Sequence, residues 1–345
     1  MKIPTLILVV LYLSCNFEKA DVAPVVEDSG IVDVKIDNEN ETSPVPIVLW
    51  HGMGDSCCNP LSMGRVKKLL KTVIPGVYVN SLMLGGGIVS VSFLIYQSQP
   101  PDSLSFDPNA RFQDTEHGYL ANMNNLVAEA CAIIRYDPNL KNGYHAVGFS
   151  QGGLFFRAVA QRCPVPPMLN LVSIGGPQQG VFGFPYCPGD TSICNWVRYL
   201  LDLGAYTKYV QTRVVQAQYW HDPFQKNDYK DKNIFLADIN NEKTQNNDYK
   251  NNLLKLKNLV LVKFTEDKMI VPKESEWFGY YPENNASYVL DIKQTDLYKD
   301  DRIGLKTLKQ SNRLKFVAVD GDHLQLPHDV FVNDIIKPYL APNNN

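Results

Sequence analysis

Ser150 stands in Gly148-Phe149-Ser150-Gln151-Gly152. A serine between two glycines at this spacing suits a sharp strand-to-helix turn, where small flanking residues let backbones approach and leave the hydroxyl exposed. A serine hydroxyl is a poor nucleophile at neutral pH. It needs a base within hydrogen-bond reach, a group that orients the base, and donors for the oxyanion. On such a turn the residue after the serine supplies one oxyanion N–H, here Gln151, and a loop after an early strand supplies the other. His51-Gly52-Met53-Gly54 has that position, and the N–H of Met53 is the candidate.

In folds built around this turn the partners follow in the order Ser, Asp or Glu, His. Six histidines are present, and order sets aside His51, His117 and His145. His221 lies outside the strand pattern, and His328 follows Pro327 as a helix start. His323, in Gly321-Asp322-His323-Leu324, directly follows an apolar run and is the expected base. The acid should follow the penultimate strand, which ends at Thr265-Glu266-Asp267-Lys268. Asp267 is the choice, with Glu266 its nearest rival and Asp322 a more distant one. No His-Glu-x-x-His motif, calcium loop or phosphate-binding Gly-Lys-Ser/Thr appears, so neither a metal nor a cofactor is expected.

These residues need strands that end at one edge. Val45–Trp50, Gly76–Leu84, Tyr144–Val147, Leu169–Ile174, Leu259–Phe264 and Leu314–Val319 are short apolar runs of the kind buried on both faces of a parallel sheet. Met63–Lys71, Asn122–Tyr136 and Gly153–Arg162 show helical spacing between them. Strand–helix alternation predicts an α/β fold with a mostly parallel sheet. The interruption at about 178–250, rich in Tyr, Asn, Gln and Asp, predicts an inserted helical cap. Trp196–Leu203 is one of its helical stretches.

Met1-Lys2 followed by the apolar Ile3–Leu13 reads as a signal peptide over about residues 1–20, with cleavage between Ser14 and Ala23. Residues 21–43 read as a flexible lead-in, and 44–340 as the folded domain. The apolar run is too short to span a bilayer, and no longer one follows, so no transmembrane segment is expected. A net charge of −3 gives no basic surplus for nucleic acid. Beyond Cys15, an even six cysteines remain, which suits three disulfides in an exported chain. Asn40 and Asn285 open glycosylation sequons.

Longer blocks are similar to a known family. His51-Gly52-Met53-Gly54-Asp55-Ser56-Cys57-Cys58-Asn59-Pro60, the segment Gly148 to Gly153, Ala158 to Cys163, Tyr219 to Pro223, Phe235 to Asn240, Ser275 to Gly279 and Gly321 to Leu326 resemble the type 1 palmitoyl-protein thioesterases. The resemblance runs from Val45 to about Tyr339. It implies a lysosomal α/β-hydrolase, reached through the ER pathway, that removes palmitate from cysteine in S-palmitoylated proteins. It places the triad on Ser150, Asp267 and His323 and the oxyanion donors at Met53 and Gln151. It pairs Cys57 with Cys58, Cys131 with Cys163, and Cys187 with Cys194. A lipase or carboxylesterase on the same triad is the alternative, and a non-catalytic lipid-binding relative is a third reading. The cap is the expected wall of the acyl groove, although its apolar residues read equally well as core. Two features depart from the family: residues 85 to about 112 look like extra length, and Glu266-Asp267-Lys268 stands where a sequon beside the acid is common.

Overall fold

The computed structural model describes residues 43–85, 114–183 and 204–342. The signal and lead-in, Asn40, most of the extra segment 85–112, Trp196–Leu203 and the pair Cys187 and Cys194 lie outside the described residues.

Six strands form one sheet: β1 (Ile47–Trp50), β2 (Val79–Ser81), β3 (Tyr144–Phe149), β4 (Met168–Ile174), β5 (Asn258–Phe264) and β6 (Leu314–Val319). Their spatial order is β2-β1-β3-β4-β5-β6, and every pairing is parallel. The period of two along the strands explains why they read as unbroken apolar runs. Val48, Trp50, Ala146, Leu171, Leu259 and Leu261 enter the core on one face. Ile47, Leu49, Val147, Val172, Val260 and Val262 enter the core on the other. β2 is shorter than the expected 76–84, because only Val79, Asn80 and Ser81 pair with β1 at the sheet edge.

Helix α1 (Met63–Val73) packs on the second face, with Met63 and Leu70 buried. A helical run made of His328–Val330, Phe331–Ile336 and Lys337–Tyr339 lies against the same core through Phe331, Ile335 and Ile336. Helix α2 (Met123–Tyr136) covers the first face with Leu126, Val127, Ala130, Ile133 and Ile134. Asn122 caps it by accepting the N–H of Asn124 at 3.0 Å. Helix α3 (Gln151–Arg162) begins immediately after Ser150, two residues earlier than the apolar pattern suggests. Its opening Gln151-Gly152-Gly153 carries little apolar signal, but it sits under β1: a Cβ on Gly152 would lie 2.6 Å from the Trp50 carbonyl oxygen. A disulfide joins Cys131 of α2 to Cys163 at the end of α3.

The insertion between β4 and β5 holds the short helices Lys208–Gln211, Lys226–Lys232, Leu236–Ile239 and Asn247–Leu253. Arg157 of α3 anchors it. This guanidinium is fully buried and donates to Gln178 Oε1 (2.8 Å), the Gln178 carbonyl (2.9 Å), Asn240 Oδ1 (2.9 Å) and the Ile239 carbonyl (3.2 Å). Burial lowers its pKa to about 9, still above neutrality, so the charge is kept and its donors are engaged.

Candidate active site

The chain crosses from β1 to the edge strand β2 and returns to β3 on the other side of β1. Strand order therefore reverses beside β1, and in open α/β sheets the crevice at the carboxyl ends of such strands is where ligands bind. His51-Gly52-Met53 follows β1, Ser150 follows β3, Asp267 follows β5, and His323 follows β6. All of the sequence-expected site residues therefore hang from one edge.

Ser150 takes φ 53° and ψ −127°, a positive-φ conformation outside the common wells, at the strand-to-helix turn. Gly52 makes room for it, since a Cβ there would stand 2.9 Å from the Ser150 Cβ. The side chain is buried, and its Oγ lies 3.0 Å from His323 Nε2. On the far side of the ring, His323 Nδ1 lies 2.5 Å from Asp267 Oδ2. The other oxygen of Asp267 accepts the N–H groups of Met269 (2.7 Å) and Ile270 (2.9 Å), which fixes the carboxylate plane. Burial alone would raise the Asp267 pKa, but hydrogen bonds and charge from His323, with further hydrogen bonds from Glu276 and the Ile270 N–H, hold it below the usual range.

The rival acids are turned to other tasks. Glu266 is exposed, and its backbone N–H donates to the Gly321 carbonyl. Asp322 accepts the backbone N–H groups of His323 (2.8 Å) and Lys268 (3.0 Å), and so braces the loop that carries the base. Among the histidines set aside, His221 is stacked between Tyr229 and Tyr280 with centroids 3.8 and 4.3 Å away. His51 is fully buried with Nδ1 2.8 Å from the Gly52 carbonyl oxygen.

Met53 and Gln151 both border Ser150. Met53 shares its cavities, and Gln151 is the first residue of α3, where an N–H has no partner within the helix. The Gln151 side chain is tied back to the Gly118 carbonyl at 3.0 Å. Cys57 and Cys58 are joined as a disulfide in the loop after β1. Asn285 is half-buried in a surface turn, where its side chain accepts from the N–H and the hydroxyl of Ser287, both at 2.7 Å.

Among the described residues, two buried acids beside the site carry no signal of their own in the sequence. Asp114 accepts the N–H groups of Cys57 (2.7 Å) and Leu84 (3.1 Å). It also stands 3.2 Å from His51 Nε2, close enough for an ion pair but not aligned for a good hydrogen bond. Burial opposes protonation of His51, yet Asp114 outweighs it and raises that pKa. Asp114 thus holds the Met53 loop from below. It borders the segment that resembles nothing in the family, so no block pointed to it.

Glu276 is the second. It is 1% exposed, and Oε2 accepts the Phe264 N–H at 3.0 Å. As a carboxylate, Oε1 would be buried with no donor; as a carboxylic acid it donates to Asp267. Burial first, then the hydrogen bond to Asp267 and its charge, push the Glu276 pKa far above the ordinary range. The only sequence signal was an acid beside Trp277 and Phe278 in a block already singled out.

A proton held only in the folded state makes stability fall as pH rises. The contribution is complete below the ordinary glutamate value of about 4.3 and is lost as pH climbs towards the raised folded value. Glutamine carries an equivalent donor without the titration. Glu276→Gln should therefore flatten the decline in stability between pH 5 and 8, by up to about 1.4 kcal/mol per pH unit. Urea unfolding at several pH values measures this, and identical slopes for the two proteins would mean that Glu276 is ionised in the fold.

None of the described cap residues lines the larger apolar space at the serine. A cavity of about 410 Å³ opens from Ser150 towards α1 and the C-terminal helical run, lined by Val66, Leu69, Phe149, Leu326 and Phe331 among others, and no described residue of 178–250 lines it. Val181, Gly183, Gln216, Tyr219 and Trp220 instead line a second cavity at Ser150, of about 20 Å³. Much of the apolar character of the insertion is spent on core packing, as with Phe235, Leu236 and Ile239.

A parallel sheet flanked by helices, with a nucleophile turn after β3 and a hydrogen-bonded His–Asp pair on later loops, defines an α/β-hydrolase of the serine type. The palmitoyl protein thioesterase family matches residues 46–323, and the chain belongs to that family. It is 60% identical over 301 residues to "Palmitoyl-protein thioesterase 1" of Caenorhabditis elegans, covering 87% of this chain and 93% of that protein. "Palmitoyl-protein thioesterase 3" of Dictyostelium discoideum is 35% identical, with 86% and 89% covered. "Lysosomal thioesterase PPT2 homolog" of Drosophila melanogaster is 32% identical over 57% of this chain and 68% of its own length.

Proposed function

We propose that this chain hydrolyses the thioester between a long-chain fatty acyl group, chiefly palmitate, and cysteine in proteins. Family membership over residues 46–323 carries the substrate class, and the Ser150–His323–Asp267 hydrogen-bond chain carries the chemistry. Ser150 Oγ attacks the thioester carbonyl while His323 Nε2 takes its proton. Asp267 holds the imidazole with its proton on Nδ1. The N–H groups of Met53 and Gln151 receive the oxyanion, aided by the positive end of the α3 dipole. The sulfur leaves with the proton from His323, and water then hydrolyses the acyl-serine by the same steps in reverse roles. Each buried methylene of the acyl chain adds about 0.8 kcal/mol of binding, which favours long chains over short ones.

The catalytic domain over 44–340, its cap over about 178–250, the leader over 1–20 and sugar attachment at Asn40 and Asn285 belong to the same proposal. Delivery to the lysosome through the secretory route is supported by the disulfides Cys57–Cys58 and Cys131–Cys163, which persist in oxidising compartments, and by the lysosomal naming of a relative. Among the described residues no helix is long and apolar enough to cross a membrane.

The deciding assay compares a palmitoyl-cysteine peptide with its palmitoyl-serine counterpart. The thioester should be turned over at least tenfold faster, in kcat/KM, than the oxygen ester. Equal rates would assign the protein to the carboxylesterases instead.

A further inference from the structure

A thioester held over Ser150 has two arms, an acyl tail and a polypeptide, and two cavities meet at that serine. They share Ser150, Met53 and Met269, and otherwise diverge, one towards α1 and the C-terminal helical run, the other under the insertion.

Proton transfer sorts the arms. As the Ser150 Oγ–carbonyl bond forms, the Ser150 proton passes to His323 Nε2; as the carbonyl–sulfur bond breaks, that proton passes to the leaving thiolate. The sulfur, and the chain attached to it, must therefore lie on the His323 side. His323, Leu324 and Leu326 line the α1-side cavity, and none of the three lines the cap-side one. The acyl tail is left with the cap side.

We propose that the α1-side cavity binds the polypeptide flanking the acylated cysteine and selects apolar side chains next to it. This rests on the thioesterase reading above. The cavity is open at a mouth that carries Leu61, 85% exposed, and Leu324, 36% exposed. An exposed leucine is ordinary by itself. Two at the mouth of an apolar cavity that reaches a nucleophile form a continuous surface for a bulky, partly apolar ligand. Asp55, Arg65 and His328 also border this cavity and can pair with the polar backbone of a peptide, which a saturated acyl tail cannot use.

The test uses two palmitoylated peptides that differ only in the residues on either side of the acyl-cysteine, leucine in one and glycine in the other. The wild-type protein should prefer the leucine peptide by about tenfold in kcat/KM. In the double variant Leu61→Ser/Leu324→Ser that ratio should fall towards one, while the ratio of palmitoyl to octanoyl turnover on the glycine peptide keeps its wild-type value. Both leucines are exposed, so the fold does not depend on them. A wild-type protein indifferent to the flanking residues would overturn the proposal. So would a double variant whose chain-length ratio shifts, since the cavity would then hold the acyl tail. Wild-type protein inert towards every palmitoyl thioester would remove the thioesterase reading itself, a result distinct from either.

Discussion

Ser150→Ala should fold as the wild type does and lose thioesterase activity by a factor on the order of 10⁵ or more. The size of the effect follows from the connectivity. Ser150 Oγ is the only side-chain oxygen hydrogen bonded to His323 Nε2 among the described residues. Without it the base has nothing to activate except water, and the acyl-enzyme cannot form. The fold should survive because the turn is built around the backbone and Cβ. Alanine keeps the Cβ that Gly52 accommodates, and it loses one hydrogen bond made by a hydroxyl at the mouth of two cavities. The φ of 53° is a cost that serine already bears and alanine bears about equally. Hydrolysis of a palmitoyl-cysteine peptide, measured beside the thermal unfolding midpoint, separates the two effects. Residual activity near wild type with an intact fold would remove Ser150 from the reaction and the triad with it.

What the sequence made legible follows a physical divide. Strands buried on both faces announce themselves as apolar runs, so β1, β3, β4, β5 and β6 were readable to within two residues. A motif that owes its shape to local sterics, such as Gly148-Phe149-Ser150-Gln151-Gly152, is readable too, because the glycines and the turn are neighbours in the chain. Partners brought together by tertiary contact are not. Glu276 reaches Asp267 because Phe264 at the end of β5 donates its N–H to it, and Arg157 finds Asn240 across 83 residues. Asp114 meets Cys57 across 57. Each is a charged residue in an unremarkable local context, and its burial is fixed only when distant segments close over it. The acyl groove is hard to read for a related reason. Apolar residues in an insertion can serve packing or a ligand, and composition does not say which; among the described residues some pack in the core and others line a cavity at the serine.

Asp267→Asn should cut turnover by about 10⁴-fold while leaving the protein folded. The carboxylate receives three kinds of contact, and the substitution affects them unequally. Oδ1 accepts two backbone N–H groups, from Met269 and Ile270, and an asparagine carbonyl oxygen can keep both. With the carbonyl so committed, the new amide nitrogen must take the Oδ2 position, 2.5 Å from His323 Nδ1. Two donors cannot face each other there. The imidazole is driven to the tautomer with its proton on Nε2, pointing at Ser150, where it cannot serve as a base. Glu276 turns this into a sharper expectation. The charge of Asp267 is one cause that keeps Glu276 protonated, and asparagine removes that charge. The double variant Asp267→Asn/Glu276→Gln should therefore be no more active than Asp267→Asn alone, although Glu276→Gln by itself should stay within a few-fold of wild type. The pH profile of kcat/KM for the three variants, with unfolding midpoints as the control for the fold, reads this directly. Near-normal turnover in Asp267→Asn would move the orienting role to Glu266 or Asp322, and their exposed or backbone-bound carboxylates would then need to reach a ring from which this structure holds them apart.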